Sequence, residues 1–313
     1  MATYLITGIA GFIGSSLARA LLAQGSQVRG IDNLSTGKRS NLAAILDRID
    51  FCEADLLDGG AVQKACRGVD YVLHQAAIPS VPRSVADPLE SNRANIDATA
   101  SLLVAARDAK VKRVIYAASS SAYGDTPTLP KREDMTPSPI SPYAVAKLTG
   151  ELYMTSFWRC YGLETVSLRY FNIFGPRQDP ASPYSGVLAR FITQMLKGDQ
   201  PVIFGDGEQS RDFTYIDNVV SANLLACQAP AAKVAGRVFN IATGRRVDLN
   251  ETFRALKKLT GYKGDVGYGP ERAGDVKHSL ADLSLAKEHL GYKPVVDFEE
   301  ELRRTIEWYR EQG

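Results

Sequence analysis

Thr7-Gly8-Ile9-Ala10-Gly11-Phe12-Ile13-Gly14 decides the fold. It lies between the aliphatic run at 4–7 and a stretch with Leu17, Leu21 and Leu22 on one face, so three glycines recur at three-residue intervals where a strand passes into a helix at 14–24. Such a turn brings backbone N–H groups and a helix N-terminus against a pyrophosphate, and a Cβ at these glycines would block the approach. A second strand, 27–32, ends in Asp32, 18 residues after Gly14. A carboxylate there accepts hydrogen bonds from a ribose diol and repels a 2′-phosphate, which selects NAD over NADP; the plainer alternative is a cap on the strand end.

Working outward, short β-branched or aliphatic runs at 49–53, 71–75, 114–118 and 165–169 alternate with helical patterns at 60–66, 89–109 and 143–161. That alternation predicts an α/β fold, a Rossmann-like doubly wound parallel sheet. Beyond Asn172 the texture changes, with Gly175-Pro176, Asp179-Pro180 and Ser182-Pro183 interrupting it. The expected division is a dinucleotide-binding domain at 1–174 and a smaller, partly interleaved C-terminal substrate domain at 175–313. The run 237–241 reads as a strand buried on both faces, so the segment near 212–243 is expected to rejoin the first sheet.

Composition narrows the partners. Hydrophobic residues make up 45% and charged residues 23% of the 313, and 37 Lys plus Arg against 35 Asp plus Glu leave +2 with no basic block. This is ordinary globular composition without a nucleic-acid footprint, and it points to small-molecule ligands. No stretch approaches the ~20 apolar residues of a membrane span, and the N-terminus lacks a signal-peptide pattern, so a cytoplasmic protein is expected. Cys52, Cys66, Cys160 and Cys227 form no CxxC pair, and His74, His278 and His289 have no i, i+4 spacing, so neither a disulfide framework nor a metal site is expected.

Tyr143 and Lys147 stand four residues apart on one face of a helix that begins just after Pro142. A nearby ammonium stabilises tyrosinate, which lets a phenol of ordinary pKa ~10 serve as acid or base near neutrality. Upstream, the run Ala118-Ser119-Ser120-Ser121-Ala122-Tyr123-Gly124 would project hydroxyls at the carboxyl edge of the sheet, where such folds bind ligands.

With these motifs, and with Asp32-Asn33, Arg169-Tyr170-Phe171-Asn172, Gly205-Asp206-Gly207 and Arg211-Asp212-Phe213, the chain resembles the extended short-chain dehydrogenase/reductases, and within them the nucleotide-sugar 4-epimerases. The stretches Pro79 to Ser84 and Arg272 to Ser279 look most like the enzymes acting on UDP-N-acetylglucosamine. The resemblance implies resident NAD, UDP-sugar substrates and a homodimer built through a four-helix bundle. It implies that Tyr143 takes the 4-OH proton, that Ser119 hydrogen-bonds the same oxygen, and that Lys147 tunes Tyr143 while holding the nicotinamide ribose. Gly8, Gly11, Phe12, Ile13, Gly14, Asp32 and Asn33 would hold the dinucleotide; Asp55 and Leu56 would flank adenine, and Ala76, Ala77, Asn95 and Tyr170 would line the cofactor channel. Ser80, Ser120, Asn172, Gly186, Val187 and Phe191 would meet the sugar nucleotide, with Arg211 and Arg272 on the diphosphate; two solvated arginines are the plainer alternative.

Ser279 occupies the position that, in the epimerases the chain resembles, lines the pocket beside the hexose C2 substituent. Bulky tyrosine there confines such enzymes to plain hexoses, whereas serine leaves room for an acetamido group. A second reading makes Ser279 the cap of a helix at 281–290. Sister chemistries lack their parts: Ser120 and Ser121 stand where 4,6-dehydratases carry Asp-Glu, and Ser121 where decarboxylases of UDP-glucuronate carry Glu. Two alternatives remain open, a UDP-glucuronate 4-epimerase and a non-catalytic dinucleotide-binding regulator. In the second long helix, Leu148, Leu152 and Phe157 add apolar surface, which suggests a covering partner.

Overall fold

The computed structural model describes residues 1–180, 186–271, 276–294 and 297–312. Its centre is a seven-stranded, wholly parallel sheet: β1 (Thr3–Thr7), β2 (Gln27–Asp32), β3 (Asp50–Glu53), β4 (Tyr71–His74), β5 (Arg113–Ser119), β6 (Glu164–Tyr170) and β7 (Arg237–Ile241). Across the sheet the order is β3-β2-β1-β4-β5-β6-β7. The chain therefore winds one way from β1 to β3 and the other way from β4 onward, and the crevice between β1 and β4 at the carboxyl ends is where such sheets bind ligands.

Alternation along the strands explains the layers. Leu5, Val72, Val114 and Tyr116 face one core, while Ile6, Leu73, Ile115, Val166 and Leu168 face the other. Both faces being apolar, helices must cover both. Phe12–Ala23 and Ile216–Gln228 pack together on one face; Gly59–Cys66, Ala98–Asp108 and Pro142–Tyr161 cover the other. The run at 237–241 pairs in parallel with β6, Phe239 opposite Leu168, so it joins the sheet as its sequence suggested. Arg113, buried at the start of β5, donates to the carbonyls of Ala226, Cys227 and Ala229 and so fixes the C-terminal end of Ile216–Gln228.

The helix expected at 89–109 is one helical path with a wider turn inside it: Pro88–Asn92, a π-turn over Arg93–Asp97, then Ala98–Asp108. In Pro142–Tyr161, Phe157 and Met154 face inward to the sheet, whereas Leu152 is 63% exposed. Phe157 therefore supplies core rather than outward apolar surface.

Past Asn172 the strands are short pairs: Ile173–Phe174 with Thr214–Tyr215, Ser210–Arg211 with Val247–Asp248, and Val202–Phe204 with Gly267–Gly269. Helices Val187–Lys197, Leu249–Thr260 and Phe298–Gln312 pack against one another beside them. The Asp212 carboxylate, fully buried, ties the loops together by accepting from Thr243 N, Thr243 Oγ1, Gly244 N and Ala281 N. Four donors offset the cost of burying that charge. Among the described residues no helix is long and apolar enough to cross a membrane, and no cluster of three or more His, Cys, Asp or Glu could hold a metal ion.

Candidate active site

Thr7 and His74 end β1 and β4 in register, Ser119, Tyr170 and Ile241 end β5, β6 and β7 in register, and β5 runs three residues past its His74 partner Tyr116; all five strands finish at the same carboxyl edge, where the chemistry-bearing residues stand. The glycine turn opens there. Gly8 has φ +67°, and a Cβ on it would stand 2.8 Å from Ala76 N; a Cβ on Gly14 would stand 2.1 Å from Gly8 O. Gly11 caps the helix Phe12–Ala23 in extended conformation without a side-chain hydrogen bond to the first turn. That turn, whose N–H groups take no cap from a side chain, is the arrangement that receives a phosphate. Asp32, 8% exposed, accepts from Ala10 N at 2.9 Å and Leu34 N at 2.8 Å, one bond to each oxygen. Each oxygen keeps a second lone pair for a ribose hydroxyl, and burial pushes the carboxyl up from its ordinary range. The residues at this edge thus fit a dinucleotide.

The other candidates for the cofactor fall into two groups. Asn33 donates to Asp55 Oδ2 at 2.7 Å, joining the ends of β2 and β3, and Ala76 N is held by Thr7 Oγ1. Phe12, Ile13 and Ala77 are partly buried around the turn. Leu56 is buried in the core that holds Leu5 and Val62. The side chain of Asn95 is occupied: buried, it accepts from Ile78 N at 2.8 Å and fixes the chain just after Ala77. Tyr170 is buried as well, its hydroxyl accepting from Asn223 and donating to Gln75 at the end of β4.

The hydroxyl cluster stands beside this turn. Ser141 Oγ accepts from Ala144 N and Pro142 opens the helix, an N-terminus of favourable chemistry that sets the phase of the residues after it. Buried Ser84 accepts from Tyr143 N at 3.0 Å and so pins the start of the same helix. Half-buried Tyr143 carries its phenol toward Ser119: burial raises the phenol pKa, and the nearby Ser119 hydroxyl opposes the rise. Ser119 Oγ also accepts from Ser121 N and Ser121 Oγ, and Ser120 begins the single turn Ser120–Tyr123 that carries this arrangement. One turn beyond Tyr143, buried Lys147 donates from Nζ to Ala117 O at 2.9 Å, and burial brings its pKa down to about 8. A phenol, a serine hydroxyl and a lysine therefore meet next to the dinucleotide turn, a set able to move a proton to or from a bound alcohol.

A cavity of about 210 Å³ opens in the C-terminal region, lined by Asn172, Gly186, Val187, Arg190, Phe204 and Arg211 among others. Phe191, expected here, is fully buried in the core instead; neighbouring positions on a helix point ~100° apart, so Arg190 faces the cavity in its place. Gly186 and Val187 lie four and three residues before Arg190, a spacing that brings both to its side of the helix and that the sequence held. Ser279 is no helix cap. Its Oγ accepts from Asn172 Nδ2 at 3.0 Å and from Asp212 N at 3.3 Å, while Asp282 takes the capping role by accepting from Ser284 N. Ser80 caps the short helix Val81–Ala86 by accepting from Arg83 N, which leaves its side chain buried. Arg272 lies outside the described residues.

The chain is similar to known proteins over nearly its whole length. A profile of the NAD dependent epimerase/dehydratase family matches residues 4–242. The solved structure of a UDP-N-acetylglucosamine 4-epimerase from Methanobrevibacter ruminantium, in complex with UDP-N-acetylmuramic acid, superposes with a TM-score of 0.95 at 43% identity, covering 100% of this chain and 99% of that one. A UDP-glucose 4-epimerase from Thermotoga maritima with UDP-glucose gives a TM-score of 0.94 at 41% identity, covering 99% of each chain. A UDP-glucuronate 4-epimerase from Thermodesulfobacterium geofontis is 33% identical over 323 residues, 99% of this chain and 97% of that protein.

Proposed function

Since the chain belongs to the NAD dependent epimerase/dehydratase family, we propose that it is a UDP-sugar 4-epimerase, interconverting UDP-N-acetylglucosamine with UDP-N-acetylgalactosamine and UDP-glucose with UDP-galactose. The observation that carries this reading is the Tyr143 phenol acted on by the Ser119 hydroxyl, with Lys147 one helical turn away, at the same sheet edge as a turn shaped for a dinucleotide. A protein that only sensed the dinucleotide would have no use for that set.

In this reading Gly8, Gly11, Gly14 and Asp32 hold NAD, with Asp55, Ala76 and Tyr170 along its channel. Bound NAD⁺ supplies the acceptor and later the donor of the C4 hydride. Tyr143 removes the proton from the C4 hydroxyl and gives it back, Ser119 hydrogen-bonds the same oxygen, and Lys147 stabilises the phenolate. The keto sugar must turn over between the two transfers, so the grip belongs on the nucleotide diphosphate. Arg211 and Arg190 stand at the cavity for that purpose, because guanidinium forks match phosphate oxygens. Arg272 is proposed to join them. The cofactor-binding unit comprises 1–174 with the segment near 212–243, and the remainder of 175–313 forms the sugar-nucleotide unit. Four cysteines, none of them paired, suit a reducing cytoplasm. Incubation of the purified protein with UDP-N-acetylglucosamine, UDP-glucose and UDP-glucuronate, followed by separation of the products, tests the reading. Turnover of the first two is expected; turnover of UDP-glucuronate alone would replace the substrate, and turnover of none would reject the function.

Ser279 separates the sugars. It sits behind Asn172, which lines the cavity, so Ser279→Tyr places a ring where an acetamido group would need space, and crowding costs ~1–3 kcal/mol. Activity on UDP-N-acetylglucosamine falls sharply while UDP-glucose turnover persists. Ser279→Ala is the control, since it loses both hydrogen bonds without adding bulk and weakens both sugars alike. Equal losses in the tyrosine variant would remove the gatekeeping role.

Assembly follows from the helices that cover the Tyr143 side. Leu89 is 73%, Val85 64%, Leu152 63% and Tyr161 54% exposed on neighbouring elements. Apolar surface gathered in this way is what a partner covers, and a second copy offering the same helices makes a two-fold contact. Light scattering should return twice the 34.1 kDa chain mass at micromolar concentration, and a monomer mass would refute the dimer.

A further inference from the structure

We propose that Glu151, clamped by Arg169, is a positioning residue for the Tyr143–Lys147 pair: its buried carboxylate keeps Lys147 charged throughout the reaction. The proposal rests on the roles of Tyr143 and Lys147 given above. Tyr143, Lys147 and Glu151 follow at i, i+4 and i+8 along Pro142–Tyr161, so they form one stripe toward the sheet. Lys147 and Glu151 are each 3% exposed. Arg169, opposite Ala118 in the register of β5 and β6, holds Glu151 with two bonds, Nε to Oε1 at 2.9 Å and Nη2 to Oε2 at 2.7 Å. Its third nitrogen, Nη1, has no hydrogen-bond partner among the described residues, and the guanidinium lies 4.6 Å from the centre of the Tyr123 ring. Tyr123 in turn donates to Asn240 Oδ1 at 2.7 Å, which anchors this arrangement across to β7.

A buried ion pair is a poor device for stability, since apolar side chains of the same volume do as well or better. What the pair does here is place a fixed anion one turn below an ammonium that has little solvent of its own. The surroundings of Lys147 offer no other anion among the described residues. From β4 comes His74, held neutral: its Nδ1 lies 2.7 Å from Thr7 Oγ1 and its Nε2 2.9 Å from Thr99 Oγ1, and burial with the charge of Lys147 takes its pKa to about 3. From β5 come the Tyr116 ring, 5.0 Å from Nζ, and the Ala117 carbonyl. On its own helix stand Tyr143 and Glu151, and from β6 Arg169 faces Glu151 rather than the lysine. Burial draws the Lys147 pKa down to about 8, and the Glu151 carboxylate pushes back up. Without that carboxylate the ammonium loses its proton at lower pH, and a neutral lysine no longer stabilises the phenolate of Tyr143.

The test is kcat against pH, per mole of dinucleotide-loaded protein. In Glu151→Gln the alkaline limb is expected to move down by about one pH unit, so that kcat on its falling side drops about tenfold. Because that variant leaves Arg169 buried without a counter-charge, the double variant Glu151→Gln/Arg169→Met is measured beside it. Removing both charges recovers the melting temperature, yet the limb stays shifted, because the anion facing Lys147 is gone. Glu151→Asp, which keeps the charge, restores the parent limb. A double variant whose pH profile superimposes on the parent's would reduce Glu151 to a structural residue and overturn the proposal. Tyr143→Phe run alongside keeps the two readings apart: full activity there removes the base itself, whereas an inactive Tyr143→Phe with an unshifted double variant removes only the part given to Glu151.

Discussion

Tyr143→Phe folds, keeps its dinucleotide and loses ~10²- to 10⁴-fold in kcat, the usual worth of a general base. The side chain is half-buried with its hydroxyl toward Ser119, while the helix that carries it is fixed independently through Ser84, Ser141 and the sheet. Deleting one oxygen therefore leaves the scaffold untouched. It removes the only group that can take the C4 proton in the assigned roles, since Ser119 has an ordinary alcohol's acidity and Lys147 is engaged with Ala117 O. Dinucleotide absorbance released on denaturation, circular dichroism and steady-state kinetics make the comparison. Turnover within a few-fold of the parent would take the base role from Tyr143.

Gly14→Ala is expected to abolish dinucleotide binding. The added Cβ would stand 2.1 Å from Gly8 O and 2.8 Å from Gly8 C and Ile9 Cα, all backbone atoms of the turn itself. No rotamer relieves such a contact, so the helix Phe12–Ala23 must move off β1 or the turn must open. Either displaces the N–H groups that face the pyrophosphate, and the crowding costs ~1–3 kcal/mol or more in stability. Gly59→Ala is the matched control, because nothing lies within 4 Å of its added Cβ. Parent-like dinucleotide content and melting temperature in Gly14→Ala would contradict the account of the turn.

The sheet was legible in the sequence because both of its faces are buried. Strands such as Val114 to Ala118 are then aliphatic runs, and the glycine turn with Asp32 marks where the winding begins. Long-range pairing also came through for 237–241, whose apolar run has no other destination. The C-terminal region was harder to read for a physical reason: its strands are two or three residues long, and its order rests on single buried groups. The Asp212 carboxylate and the Ser279 hydroxyl gather loops from distant parts of the chain, and neither leaves a periodic trace. Phe191 illustrates the limit, since a helix turned by one position exchanges a core residue for the cavity-lining Arg190. Glu151 could have been found. It continues the four-residue spacing of Tyr143 and Lys147, but its meaning depends on Arg169, which only the pairing of β5 with β6 brings close.

In the proposed reaction one hydride leaves C4 and returns to the same carbon on the opposite face without quitting the protein. UDP-glucose and UDP-N-acetylglucosamine carrying deuterium at C4 are therefore incubated with purified protein, with no dinucleotide added, and the products examined by mass spectrometry and NMR. The expected products are the C4 epimers of both, with the deuterium retained at C4. A product whose deuterium has been lost to solvent, or turnover that requires a continuous supply of added NAD, would contradict the proposed reaction.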